Sequence, residues 1–284
     1  VPSQREIRRR IGSVGNIKQI TRAMQFVAAS KLKRAQDATL AARPYSDKLD
    51  EVLADVAAVV DDESHPLLQQ EREGTRLIVL FTTDRGLAGS LNTNTIRFAA
   101  KEIASSEGDL ATVTVGRKGT AAMRRAHVPI AASFDGFGDK PTFSDVLPLA
   151  RLITDDFLAG TYTKVHLLYP AFVSTLVQRP EMTRLLPVKS SPDADTGLPG
   201  RQFIFEPNPA TVLDELVPRY VATRLFQAVL EVTASEHSSR MVAMRNATEN
   251  AEELIDDLTL TYNKVRQSNI TREMIEIATG ASST

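Results

Sequence analysis

Apolar positions change their period along the chain and divide it into three zones. From Ser3 to about Asp61, Ile7, Ile11, Val14, Ile17, Ile20, Met24 and Val27 recur at spacings of three and four. That spacing places them on one stripe of a long helix. After a run of small residues the stripe resumes at Leu49, Val52, Val56 and Val59. Pro44 is expected to kink or interrupt this helix, because it lacks the N–H that bonds the preceding turn. If helical throughout, the zone is roughly 80 Å long. The last zone runs from about Pro209 to Ile277, with Pro218 as its interior proline and no glycine before Gly280. Met244, Ala247, Ala251, Leu254, Leu258 and Val265 fall on a three-four repeat there, with Thr261 as its polar intruder. A sustained repeat of this kind predicts a coiled-coil seam, on a helix roughly 100 Å long. Two such helices at opposite ends of one chain favour a single antiparallel pair over separate bundle members.

The middle zone has a different texture. Arg76–Thr83 is a continuous apolar run of the kind that forms a buried strand. Gly86, Gly89 and a helix over Leu91–Ser105 follow it. Ala111–Val115 reads as a second strand, then Gly116–Gly119 opens a short helix to about Ala126, and Val128–Ser133 is a third strand. Phe143–Leu158 reads as a helix. Lys164–Tyr169 and Val173–Gln178 read as strands joined by a short turn, with Thr183–Val188 another. Alternating strands and helices imply a mainly parallel sheet, to which the late hairpin adds antiparallel edge strands. Residues 190–202 read as a turn-rich loop. The predicted division is a helix over 1–61, an α/β domain over 62–208 and a second helix over 209–284.

Composition narrows the chemistry. Of 284 residues, 42% are hydrophobic and 24% charged, so disorder and collagen-like repeats are excluded. There is no Cys, which removes disulfides, thiol catalysis, Cys-ligated zinc and dithiol switching. The net charge of −1 hides an asymmetry. The start carries Arg5, Arg8, Arg9, Arg10, Lys18, Arg22, Lys31, Lys33 and Arg34 against Glu6, whereas residues 249–276 are rich in Glu and Asp. No segment has the ~20 apolar residues of a membrane span, and the N-terminus is too densely charged for a signal-peptide core.

Two glycine turns invite comparison with phosphate cradles. In Asp84-Arg85-Gly86-Leu87-Ala88-Gly89-Ser90-Leu91-Asn92 the glycines precede a helix, where backbone N–H groups can hold an anion. The spacing is not GxGxxG, and no Walker lysine precedes a Ser or Thr. A tight turn with Ser90 or Asn92 capping the next helix is the simpler reading. Gly116-Arg117-Lys118-Gly119-Thr120 has the same shortcoming. His65, His127, His166 and His237 are dispersed and lack metal-ligand spacing. No GxSxG elbow is present, and Glu252, Glu253, Asp256 and Asp257 read as a solvated helix face. The basic first helix lacks the aromatic interleaving of a nucleic-acid binder. An α/β enzyme or nucleotide-binding module with helical arms, and a coiled-coil nucleic-acid binder, remain as alternatives.

Four ordered motifs resemble the gamma subunit of F-type ATP synthases over essentially the full chain. They are Ile7–Val14 with Ile20–Met24 and Val27–Lys31; the Asp84–Asn92 turn; Ser235–Thr248; and the ending Ile270–Glu276 with Gly280-Ala281. The resemblance implies an α/β fold, a long antiparallel coiled coil of the N- and C-terminal helices with an inserted Rossmann-like α/β domain. It implies a non-catalytic central-stalk rotor without cofactors, metal or nucleic acid. Its partners would be the alpha, beta and epsilon subunits, delta within the complex, and the c-ring. By position, Arg22, Met24 and Lys31 would face the acidic lever of beta, and Arg266 and Gln267 resemble catch residues that hold a beta loop. Phe203 and Phe205, in Phe203–Glu206, resemble the foot on the c-ring and epsilon side. Ala88 stands where many members carry Cys, and the Cys-containing chloroplast insert is missing. The implied location is peripheral, on the cytoplasmic face of a bacterial membrane through the complex, with the matrix side of the mitochondrial inner membrane as the alternative.

Overall fold

A computed structural model describes residues 3–57, 74–106, 108–188, 206 and 208–281. The chain divides into two compact units, one of Val1–Ala29 with Arg240–Thr284 and one of Ser30–Ser239. Helix α1 covers Gln4–Ala57 and helix α5 covers Pro209–Ala281, so each contributes to both units.

The larger unit contains a five-stranded sheet. Its strands are β1 (Arg76–Phe81), β2 (Leu110–Val115), β3 (Ile130–Phe134), β4 (Lys164–Phe172) and β5 (Gln178–Leu186), in the order β3-β2-β1-β4-β5. The first four are mutually parallel and β5 is antiparallel to β4. Helices α2 (Leu91–Ala104), α3 (Arg117–Arg125) and α4 (Phe143–Leu158) connect them. Central β1 is apolar without alternation because both of its faces are covered. Leu77, Val79 and Phe81 pack with α4 residues Val146, Leu149 and Ile153, and with Leu213, Val217, Val221 and Leu225 of α5. Ile78 and Leu80 face Ala99 of α2 and Met123 of α3. The parallel sheet with an antiparallel edge agrees with the sequence pattern. Val173–Gln178 does not form the strand expected there: residues 173–177 are the hairpin connection, and β5 begins at Gln178. Val173 and Leu176 have strand-forming side chains but are 60% and 78% exposed at the hairpin tip, so propensity lost to turn geometry.

Pro44 lies inside α1 without ending it. Proline deletes one backbone hydrogen bond, while the neighbouring Ser46, Leu49 and Leu53 are buried and hold the segment helical. Burial along α1 follows Ile7, Ile11, Val14, Lys18, Thr21, Gln25, Ala28, Leu32, Ala35, Thr39, Ala42, Ser46, Leu49 and Leu53. That is an unbroken four-three alternation, the heptad of a coiled-coil seam. It corrects the stripe read from the sequence, because Ile17, Ile20 and Val27 are 50%, 59% and 54% exposed. In α5 the less exposed positions are Met244, Thr248, Ala251, Ile255, Leu258, Tyr262, Val265 and Asn269. Met244, Ala251, Leu258 and Val265 thus fall where expected. The positions between them are Thr248, Ile255 and Tyr262, and Leu254 and Thr261 face solvent.

In the smaller unit the two helices are antiparallel, as three cross-helix contacts establish. Gln4 Nε2 donates to Tyr262 Oη at 3.0 Å, Lys18 Nζ to Glu252 Oε1 at 2.5 Å, and the Thr21 and Thr248 hydroxyls meet at 2.8 Å. Rising numbers on α1 meet falling numbers on α5. The Lys18 ammonium also holds the Glu252 carboxyl below its ordinary pKa.

Candidate functional site

In a doubly wound sheet, ligands enter at the carboxyl ends of the parallel strands. Here that position is filled by the chain's own side chains. Asp84, just after β1, accepts through Oδ1 from Arg117 N at 3.0 Å and through Oδ2 from Gly136 N at 3.0 Å. Its carboxylate therefore sits at the N-terminus of α3, where a nucleotide phosphate would bind. Gly119 N donates to Thr82 Oγ1 at 2.8 Å. Gly116 has φ +97, and a Cβ there would lie 2.1 Å from Thr82 O. Close packing of loop on strand accounts for this glycine. The first glycine turn is also internally tied. Asn92 Oδ1 accepts from Thr83 N at 3.1 Å, and Asn92 Nδ2 donates to Thr83 Oγ1 at 2.8 Å. Neither Ser90 nor Asn92 caps α2: Ser90 occupies the cap position without a side-chain cap bond, and Asn92 reaches back to Thr83. The tight-turn reading accounts for both motifs.

Among the histidines, His166 accepts from Arg76 Nε at 3.2 Å. Burial, followed by the charges of Arg76 and Lys164, lowers its pKa to about 4. A neutral acceptor imidazole next to an arginine is a structural element of the sheet. His127 sits at φ +54 at the end of α3, His237 is buried on α5, and His65 lies outside the described residues. Among the described residues, no group of three or more His, Asp and Glu is arranged to hold a metal. No described helix is long and apolar enough to cross a membrane.

The residues drawn from the family resemblance fall in different surroundings. Arg22 is exposed and Met24 half-buried on α1, while Arg266 and Gln267 are exposed on α5. Lys31 is differently placed: its Nζ donates to Asp139 Oδ2 at 2.6 Å, and its side chain is 24% exposed. Its charge is committed within the chain, a role that sequence position alone did not reveal. Phe203 and Phe205 lie outside the described residues. More conspicuous than any of these is exposed apolar surface, of which the sequence pattern assigned Ile17, Ile20 and Val27 to the seam. Ile17, Ile20, Phe26 and Val27 are at least half exposed on α1, as are Leu260, Met274, Ile275 and Ile277 on α5. Exposed large apolar side chains in this number make the helix pair a candidate interaction surface.

Fold and surface define a class of protein: an α/β body inserted into an antiparallel helix pair whose apolar exterior is available to other chains. A family model described as ATP synthase matches residues 3–284. The ATP synthase gamma chain of Roseiflexus sp. (strain RS-1) is 48% identical over 287 residues, covering 99% of this chain and 98% of that one. That of Dehalococcoides mccartyi (strain CBDB1) is 46% identical over 282 residues, covering 98% and 97%. A chain in the cryo-EM structure of the Euglena gracilis mitochondrial ATP synthase (OSCP/F1/c-ring, rotational state 3) shares the fold. It superposes with a TM-score of 0.69 at 20% identity, covering 99% of this chain and 94% of that one. The chain belongs to the ATP synthase gamma chain family, the gamma subunit of the F-type enzyme.

Proposed function

We propose that this gamma chain performs no nucleotide chemistry of its own and couples rotation to the catalytic sites of the beta subunits through orientation-dependent contacts. The observation that carries the reading is the arrangement of the helix pair. Its seam mixes apolar residues such as Ile11, Val14 and Leu258 with small and polar ones such as Thr21, Ala28, Thr248 and Ala251, and further large apolar side chains such as Ile20 and Phe26 face outwards. Such a pair is asymmetric about its axis. When it turns inside a ring of alternating alpha and beta subunits, each beta subunit meets a different face in turn. A contact that favours one beta conformation over another shifts that subunit's populations, and reciprocity lets nucleotide occupancy push back on the helices.

Arg22 and Met24 on α1, with Arg266 and Gln267 on α5, are the proposed ring contacts, since their side chains are wholly or partly free to reach a partner. Lys31 acts from inside the chain. The partners are the alpha, beta and epsilon subunits and the c-ring, with delta elsewhere in the complex. Membrane association is peripheral and arises through that complex, on the cytoplasmic face of a bacterial membrane. The plugging of the strand-end crevice by Asp84 supports a non-catalytic role.

Two measurements test this reading. Purified chain freed of alpha and beta is expected to show no ATP turnover, and turnover that survives their removal would contradict the proposal. Affinity capture from cells is expected to recover alpha, beta and epsilon together. In the assembled complex, Arg266→Ala should change the hydrolysis rate while leaving helix content unaltered.

A further inference from the structure

Asp139 stands in the loop between β3 and α4, remote in sequence from both long helices, yet its carboxylate meets both of them. Oδ2 accepts from Lys31 Nζ of α1 at 2.6 Å. Oδ1 lies 3.6 Å from His237 Nε2 of α5, a residue only 1% exposed. A third side chain, Arg85 of the β1–α2 turn, has Nη1 4.0 Å from Oδ2. The Asp139 loop is itself pinned to the sheet, since Gly136 N donates to Asp84 Oδ2 at 3.0 Å. The β1–α2 turn is pinned to α5, since Ser239 Oγ donates to Ala88 O at 2.6 Å. Lys31 and His237 each lie within two residues of the point where their helix passes out of the larger unit.

We infer that Asp139 is a positioning residue, an ionic clamp that fixes the α/β body to both helices where they leave it and keeps body and helices turning together under load. An apolar contact resists separation but slides at little cost, because it is non-directional. A charge-assisted hydrogen bond is short and directional and resists sliding. The apolar core of the larger unit therefore supplies cohesion, and the clamp supplies rotational registry. The direction of the Asp139 titration agrees: burial alone would raise its pKa, but the Lys31 bond and the charges of Lys31, His237 and Arg85 hold it below the ordinary value. Most of the clamp is shielded from solvent, with Lys31 24% and Asp139 35% exposed, so it is less screened by salt than a surface pair.

The inference rests on the rotor reading, and its test keeps the two apart. The complete complex carrying Asp139→Asn is reconstituted in vesicles, and ATP-driven proton uptake is followed at matched hydrolysis rates. Asp139→Asn keeps the shape and removes the charge. The expected result is normal assembly, hydrolysis within about twofold of wild type, and a steady-state proton gradient at most half as large, because slippage grows with the opposing load. Lys48→Gln, which removes an exposed pair with Glu51 on the same helix, should match wild type in both readouts. A second variant restores the tie covalently. Because the chain has no Cys, Lys31→Cys/Asp139→Cys can be joined by a short bismaleimide with the other subunits made Cys-free. Joined complexes should regain the gradient that unjoined ones lack. An Asp139→Asn gradient equal to wild type overturns the clamp. So does an equal deficit in joined and unjoined complexes, which would assign Asp139 to folding alone. Wild-type complexes that hydrolyse ATP and never pump would instead overturn the rotor reading.

Discussion

The two units of this chain keep their helices and strands together by opposite means. In the larger unit, Leu77, Ile78, Val79, Leu80, Leu149, Ile153 and Leu168 are each 0% exposed. These side chains saturate both faces of the sheet, and the unit needs nothing from outside to cover them. In the smaller unit, the line of contact between the helices includes Lys18, Thr21, Gln25, Ala28 and Thr248, while Ile17, Ile20, Phe26 and Val27 are at least half exposed. Small seam residues let two helices approach closely and gain little from burial. Apolar side chains on the outer face gain their burial only when another protein surrounds them. The difference separates a sheet covered on both faces by the chain's own helices from a helix pair whose outer apolar side chains we propose are covered by partners.

The largest expected effect is a break in the helix of the smaller unit. Leu258 lies on the α5 seam, so Leu258→Pro removes a backbone hydrogen bond and disturbs the heptad together, at a cost of about 3 kcal/mol or more. Assembled mutant complexes should retain part of their ATP hydrolysis and lose most ATP-driven pumping, measured side by side in vesicles. Normal pumping per ATP would show that this stretch bears no torque. Next comes a paired truncation that contrasts the two units. Ile78→Ala in the sheet should cost about 2–5 kcal/mol, the usual range for a large buried aliphatic residue. Ile20→Ala on the outer face should change stability by no more than about 0.5 kcal/mol, as surface substitutions do. Urea unfolding of the purified variants checks both, and equal losses would erase the proposed contrast.

An acid-sensitivity difference should also separate the units. His166, in the sheet, titrates at about 4 in the folded chain against an ordinary histidine value of 6.5. Between these values the unfolded chain binds a proton that the folded chain refuses. Stability therefore falls as pH drops through 6.5 and levels off near 4. Allowing for partial exposure, the loss is on the order of 1–3 kcal/mol. His166→Gln should flatten that part of the pH–stability profile, and an unchanged slope would assign the acid sensitivity elsewhere. The smallest effect belongs to the Thr21–Thr248 contact. Each hydroxyl also lies within hydrogen-bond distance of its own helix, Thr21 of Lys18 O and Thr248 of Met244 O; with one proton apiece, one hydroxyl donates across the seam while the other donates to its own carbonyl. Either single change to Val should cost about 1 kcal/mol or less, and the double change less than the sum of the two, since no polar group is then left facing an apolar one. A double-mutant cycle reads the coupling directly.

How legible each region was follows from the same contrast. Arg76–Phe81 announces itself because a strand buried on both faces has to be apolar throughout, and Phe143–Leu158 shows a clean helical period. The helix seam is hard to read because several of its residues, Lys18, Thr21, Gln25, Ala28 and Thr248 among them, are less apolar than their neighbours. A search for hydrophobic spacing selects Ile17, Ile20 and Val27, one position from the true line at Lys18, Thr21 and Ala28, and in α5 it selects Leu254 over Ile255. The strict heptad of burial was present in the numbering all along, but small and polar residues carry part of it, as at Lys18, Thr21, Gln25 and Ala28. Val173–Gln178 misleads in the opposite sense, since strand-forming residues occupy a turn. The roles of Asp84 and Asp139 had no local signal. Asp84 bonds residues 33 and 52 positions away, and Asp139 bonds a lysine 108 positions away. Only the fold brings such groups together.

We propose that partner subunits complete the helix pair through its outer apolar face. This is tested most directly by titrating alpha and beta subunits with chain labelled on the α/β body, wild type against Ile17→Ser/Ile20→Ser/Val27→Ser. All three side chains lie off the seam, so helix content and unfolding midpoint should be unchanged. Affinity for alpha and beta should fall at least tenfold, equivalent to about 1.4 kcal/mol and modest for three large side chains that lose their burial. Wild-type affinity in the well-folded triple variant would contradict the account, because the exposed apolar stripe would then have no partner to meet.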